Sequence, residues 1–173
     1  GTDLTTGTNN TFIGSGTAPG ITDGENQTAI GFGATCTNNN EVSLGNSSVT
    51  TLRCATAAIA SLSDRRDKKD IIDCQYGLDF VEKLRPVQFT WDRRVLDNSD
   101  INNPINGKKR LGFIAQDFQD AMSNGENDIL DLINEVNPDR IEAKYANLIP
   151  ILTKSIQELQ RKIISLERQL MNK

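Results

Sequence analysis

Ser63 and Lys68 stand five residues apart in Ser-Leu-Ser-Asp-Arg-Arg-Asp-Lys-Lys-Asp-Ile, residues 61–71, where a run of polar and charged side chains from Ser63 to Asp70 interrupts the chain. A serine hydroxyl is a weak nucleophile until a neighbouring base takes its proton, and an uncharged lysine amine can be that base. The chain has no histidine, so a Ser-His-Asp site, a Cys-His site and every His-ligated zinc site are excluded. Lysine is protonated in water at neutral pH and acts as a base only where its surroundings disfavour the charge. A folded site can supply that and an unfolded chain cannot. Arg65, Arg66 and Lys69 oppose a charge on Lys68, whereas Asp64, Asp67 and Asp70 favour it, and the sequence does not reveal which of them face it. The same run also reads as a solvated elbow in which Ser63 or Asp64 caps a short helix, and composition alone favours that plainer reading.

The elements that must hold such a pair are bounded by composition. A length of 173 residues suits one ordinary globular domain and a smaller appendage. A net charge of -4 and a pI near 4.9 disfavour a nucleic-acid partner, which needs a basic face. No run approaches the ~20 apolar residues of a membrane span, and the chain opens on Gly-Thr-Asp instead of a charged and then apolar leader, so a soluble chain without a membrane partner is expected. Cys36, Cys54 and Cys74 lack CxxC spacing and are odd in number, which fits reduced thiols in a cytosol. The Gly-rich P-loop pattern is absent, and neither a cofactor nor a metal is expected.

Charge and glycine divide the chain. Residues 1–62 hold one basic residue, Arg53, and four acidic ones, Asp3, Asp23, Glu25 and Glu41, with nine of the 13 glycines; the other 18 basic and 19 acidic residues follow. The first part repeats: Asn-Asn-Thr-Phe-Ile-Gly from Asn9, Asn-Gln-Thr-Ala-Ile-Gly from Asn26 and Asn-Glu-Val-Ser-Leu-Gly from Asn40, at spacings of 17 and 14. Such repetition predicts stacked β coils, one Ile or Leu per coil pointing inward and Asn or Gly making the corner. So few apolar residues per coil leave the inner face to be buried by neighbouring copies; a Gly/Thr/Asn linker is the alternative. Residues 9–48 resemble the Ile-Gly-x-Gly coils of trimeric viral fibres and bacterial adhesin heads.

After the elbow the period changes. Leu78, Val81 and Leu84 predict a helix stopped by Pro86. Val87, Phe89 and Trp91 alternate as a strand, followed by a polar surface loop over residues 97–110. Leu-Gly-Phe-Ile-Ala-Gln (111–116) predicts a second strand, and a helix is expected to begin at Asp117 with its carboxylate as cap. Residues 123–128 read as turn and 129–133 as a short apolar element. From about Tyr145 a helix carries apolar residues at Tyr145, Leu148, Leu152, Ile156, Leu159, Ile163, Leu166 and Leu170, a heptad seam with a stutter at Ile156, and Pro150 lies near its start. A plain amphipathic helix packed on its own domain is the alternative.

Ser63-Asp-x-Arg-x-Lys68, then Gly77-Leu78, then Leu-Arg-Pro-Val-Gln-Phe-Thr-Trp (84–91), then Gly-Phe-Ile-Ala-Gln-Asp (112–117), then the run from Tyr145 to Gln160, resembles in this order the C-terminal intramolecular chaperone domain of phage tailspikes and fibres, the endosialidase type. The resemblance spans about residues 61–165. It implies a domain that trimerises a β-rich fibre and then cuts itself off through a Ser-Lys dyad. Carried over by position, Ser63 is the nucleophile, Lys68 the general base, Leu62-Ser63 the bond cut, and Asp64 and Arg66 supporting groups. Attack by Ser63 on its own preceding carbonyl, with water then resolving the ester, involvement of a separate water, and involvement of a neighbouring chain's serine are all open. The family also includes a membrane-anchored transcription factor of animals; the upstream repeats favour a fibre.

The expected fold class is thus an α+β chaperone domain ending in a long helix, preceded by a repetitive trimeric β stalk. The expected divisions are 1–52 for the stalk end, 53–62 for a connector and 63–173 for the chaperone and auto-peptidase. The expected partners are two further copies, with Leu152, Ile156, Leu159, Ile163, Leu166 and Leu170 as trimer seam, and the upstream segment as folding client. Assembly in a host cytoplasm is expected, with the mature fibre on the virion and the chaperone released. A permanent, non-cleaving oligomeriser is the competing reading.

Overall fold

The computed structural model describes residues 3–56, 59–94 and 103–172. The chain divides into two compact units, residues 1–58 with 90–110 and residues 59–89 with 111–173.

In the first unit, β1 (Thr11–Ile13), β3 (Thr28–Ile30) and β5 (Val42–Leu44) form a parallel three-stranded sheet, and β2 (Ala18–Pro19) and β4 (Thr35–Cys36) a parallel pair. Register follows the repeat: Thr11, Thr28 and Val42 are aligned, as are Ile13, Ile30 and Leu44. The corners fall where the sequence puts them. Asn9, Asn26 and Asn40 have φ of 61°, 53° and 58°, the left-handed conformation that Asn tolerates best among residues with a Cβ. Gly14 closes the next turn at φ 130°, where an added Cβ would lie 2.7 Å from the Gly31 carbonyl oxygen.

Within the single chain Ala29, Ala34, Cys36 and Gln27 fill the coil, whereas the repeated Ile13, Ile30 and Leu44 lie on the other face, uncovered by their own chain, with Ile13 58% exposed. Alternation along a strand puts neighbours on opposite faces, and a coil this narrow closes only over small side chains. The Asn and Gln side chains knit one coil to the next: Asn10 Oδ1 accepts from the Gln27 amide at 2.8 Å, and Asn26 Nδ2 donates to Asn40 Oδ1 at 2.9 Å. In the same unit Asn103 is buried and its Nδ2 donates to the Ser47 carbonyl at 3.0 Å. Of the expected loop, residues 97–102 lie outside the described residues.

The second unit is α+β. Helix α1 (Leu78–Val81) is followed by β6 (Val87–Thr90), β7 (Lys109–Gly112), α2 (Ala115–Ala121), α3 (Asn127–Leu130), the antiparallel pair β8 (Ile133–Asn134) and β9 (Glu142–Ala143), a 3-10 turn at Tyr145–Asn147, and α4 (Leu148–Met171). Strands β6 and β7 pair with each other. The core is Phe80, Phe118, Leu130, Leu132, Ile133, Leu148 and Ile151. At 1.5–3 kcal/mol per fully buried large side chain, this cluster dominates the unit's stability.

Several local expectations shift. In α1 the buried anchor is Phe80, with Val81 and Leu84 only packed against the core edge, because one turn of helix presents a single residue inward. Strand β7 starts at Lys109 and ends at Gly112, so it lies two residues earlier than the apolar run. Helix α2 begins two residues before Asp117, which sits in its first turn without capping it, and Ile114 at the cap position makes no side-chain bond. Asp117 instead accepts from Arg85, at 3.0 Å from Nε. The turn expected at 123–128 runs into α3, and the 129–133 run is split by Asp131 at φ 47°. The stutter in the last helix is also absent. Leu148, Ile151 and Ser155 are buried against the core, while Leu152, Ile156, Leu159, Ile163, Leu166 and Leu170 are exposed, so Leu148 and Leu152 lie on two different faces.

Candidate active site

Ser63 and Lys68 flank a single 3-10 turn, Arg65–Asp67. Asp64 makes this turn: its backbone is extended at φ -65°, ψ 136°, and its Oδ1 accepts from the Arg66 amide at 2.9 Å, satisfying a donor that the turn leaves free. The Arg66 guanidinium folds back on the same carboxylate, Nε to Oδ1 at 3.1 Å and an Nη to Oδ2 at 2.6 Å, a two-point fork. Bonds from the Asp67 and Lys68 amides to the Asp64 and Arg65 carbonyls, each 3.2 Å, close the turn. Lys68 leaves it extended, at φ -121°, ψ 142°.

This geometry brings the two ends together. Lys68 Nζ donates to Ser63 Oγ at 2.5 Å. With the amine uncharged the bond reverses, the hydroxyl donating and the nitrogen accepting, which is the contact a general base needs. Lys69 points elsewhere, its Nζ 3.9 Å from Asp70. The cap and the Ser63–Lys68 contact are therefore one arrangement: the capped turn that composition favoured brings two residues five apart within hydrogen-bond distance. The fork also fixes charge. The Arg66 side-chain bond, followed by the Arg66 amide bond, holds the Asp64 carboxyl below its ordinary range, and Asp64 in turn raises Arg66.

Residues 59–73 are all exposed, Leu62 at 99%. The Leu62-Ser63 bond is accessible, and the single chain puts no low-dielectric cover over Ser63 and Lys68. Among the described residues no cluster of His, Cys, Asp and Glu could hold a metal, and no helix is long and apolar enough to cross a membrane. The three cysteines are free.

Four residues that support this unit carry no chemical signal in the sequence. Glu158 of α4 accepts from the Leu78 amide at 2.8 Å, capping α1, and a Cβ on Gly77 would lie 2.4 Å from its carboxylate. The first cause holding Glu158 below the usual carboxylate range is that amide bond; Lys154 at 3.7 Å adds to it. The Tyr145 hydroxyl bridges the Phe113 backbone, accepting from its amide at 3.1 Å and donating to its carbonyl at 3.0 Å. Gly112 leaves that hydroxyl room, since a Cβ there would meet it at 2.9 Å. Gly77 and Gly112 each open a motif of the resemblance, but the sequence gives them no partner, because Glu158 and Tyr145 lie a long way along the chain.

Comparison with known families gives one match, over residues 63–125, to a peptidase-class family described as chaperone of endosialidase. No curated protein and no solved structure matches. The match begins on Ser63, the residue just before the Asp64-capped turn and in contact with Lys68. This match over residues 63–125 supports the resemblance to the C-terminal intramolecular chaperone domain of phage fibres.

Proposed function

We propose that the chain is the C-terminal part of a viral fibre or tailspike, in which the chaperone from Ser63 onward trimerises and folds the β coils of residues 1–52 and then releases itself at Leu62-Ser63. The observation that carries this reading is the 2.5 Å contact of Lys68 Nζ with Ser63 Oγ at an exposed peptide bond, on the first residue of the family match. In the cleavage, Lys68 takes the hydroxyl proton and Ser63 Oγ adds to the Leu62 carbonyl carbon. The Leu62 C–N bond breaks, and the amine of Ser63 receives the proton from Lys68. An ester joins Leu62 to Ser63 Oγ until water hydrolyses it to the Leu62 carboxylate and the free hydroxyl. Ser63 is then the N-terminus of the released fragment. The client coils and the self-release operate in a host cytoplasm during assembly, with the fibre part kept on the virion.

A second reading is supported by the exposure of Ser63 and Lys68: a permanent trimerisation module in which the dyad is idle. Intact-mass measurement of freshly expressed protein separates the two. The release reading expects fragments 1–62 and 63–173, differing from the parent by one water; a single uncut chain of native oligomeric state rejects it.

A further inference from the structure

Beyond Glu158, every described residue from Leu159 to Asn172 is exposed, so none of the described residues buries the last part of the helix. Its apolar residues still form an ordered stripe. With Ile156 at heptad position a, Ile149, Ile163 and Leu170 also fall on a, and Leu152, Leu159 and Leu166 on d, without a break. Ile149, 64% exposed, replaces the core-facing Leu148 at the head of this stripe. The charges beside it are placed as well. Lys162 occupies g and Glu167 the e position of the next heptad, and neither makes an ion pair among the described residues. The other g positions before it, Leu148 and Ser155, are buried against the helix's own core.

We propose that this stripe is covered by further copies of the same chain, parallel and in register, with Lys162 of each copy paired to Glu167 of the next. The proposal rests on the trimer reading above and adds the direction, the register and the residues that set them. In a parallel coiled coil a g residue faces the e residue five positions later on the neighbouring helix, which matches lysine to glutamate here. Antiparallel helices would set g against g and e against e, lysine facing lysine and glutamate facing glutamate. Ile at a with Leu at d does not by itself select three strands, since in parallel coils it favours two. The stripe therefore specifies alignment, and the number of copies is set by the rest of the chain.

Charge exchange in the full chain tests this. Lys162→Glu and Glu167→Lys are each expected to raise the dissociation constant of the assembly at least about tenfold in low salt, by sedimentation equilibrium, with unchanged far-UV circular dichroism because both sites are exposed. Combining the two substitutions restores the opposite-charge pair and is expected to return the constant to within about threefold of the parent; about 1 M salt should erase the differences. If the parent is trimeric and the double variant is as weak as its singles, or the singles change nothing, the register is wrong while the trimer reading stands. A parent that is monomeric at micromolar concentration overturns both.

Discussion

The carboxylate of Glu158 accepts a hydrogen bond from the Leu78 amide at 2.8 Å, tying the middle of the last helix to the start of the first across 80 residues of sequence. Glycine at position 77 leaves the space that the carboxylate occupies. Helix α1 has a single turn and no side-chain cap of its own, so this distant acid supplies the partner that a local residue usually provides.

Two consequences can be measured. Gly77→Ala should lower stability by about 1 to 3 kcal/mol, because its Cβ forces the carboxylate aside. Glu158 is held below its ordinary range when folded, so its contribution is present above that range and fades as pH falls through the folded value. Thermal unfolding of the parent and Glu158→Gln should therefore differ near neutrality and converge on acidification. A gap that persists at pH values below the carboxylate range would show that the bond does not depend on the charge.

The dyad makes a sharper demand. Ser63→Ala and Lys68→Ala should each leave the chain uncut while folding normally, whereas Lys69→Ala should still cleave, since Lys69 points toward Asp70. Gel analysis over hours at neutral pH reads all three. Efficient cleavage in Lys68→Ala would mean that another base acts.

The fork behind the dyad should matter for rate and not for stability. Asp64→Ala removes both the cap and the guanidinium partner, and Arg66→Ala removes only the latter. Both are expected to slow cleavage, Asp64→Ala more, with the unfolding midpoint nearly unchanged because the turn is exposed and buries nothing. Asp64→Asn, which retains the cap acceptor, should fall between them. Rates equal to the parent's in all three would reduce the turn to a linker.

Cleavage should wait for assembly. Ser63 and Lys68 are exposed in the single chain, and a lysine base needs a cover that, on the trimer proposal, partner copies supply. Replacing Leu159, Ile163 and Leu166 with Ser removes about 1.5 to 3 kcal/mol of burial per side chain and copy, and should yield an uncut monomer with the dyad intact. Release would then be an irreversible check on folding, leaving the coils kinetically trapped. If the purified monomer cuts at Leu62-Ser63 as fast as the parent, the dyad is complete within one chain.

The sequence by itself determined what depends on neighbours along the chain. The Asn corners at 9, 26 and 40, the alternation of Val87, Phe89 and Trp91, the long last helix and the five-residue Ser63–Lys68 spacing are all local, set by φ preference, strand period, helix period and one capped turn. The tertiary structure decided what depends on which face is buried. Within one chain Ala29, Ala34 and Cys36 fill the coil, and Ile13, Ile30 and Leu44 are left on its other face. The apparent stutter of α4 dissolves because Leu148 and Ile151 belong to the core and Ile149 and Leu152 do not, a distinction of one residue that periodicity blurs. Asp117 turns from expected cap to partner of Arg85, and Glu158 becomes a cap at a distance. Pairings across so many residues arise from chain topology, and no window of sequence short enough to show a pattern contains both members.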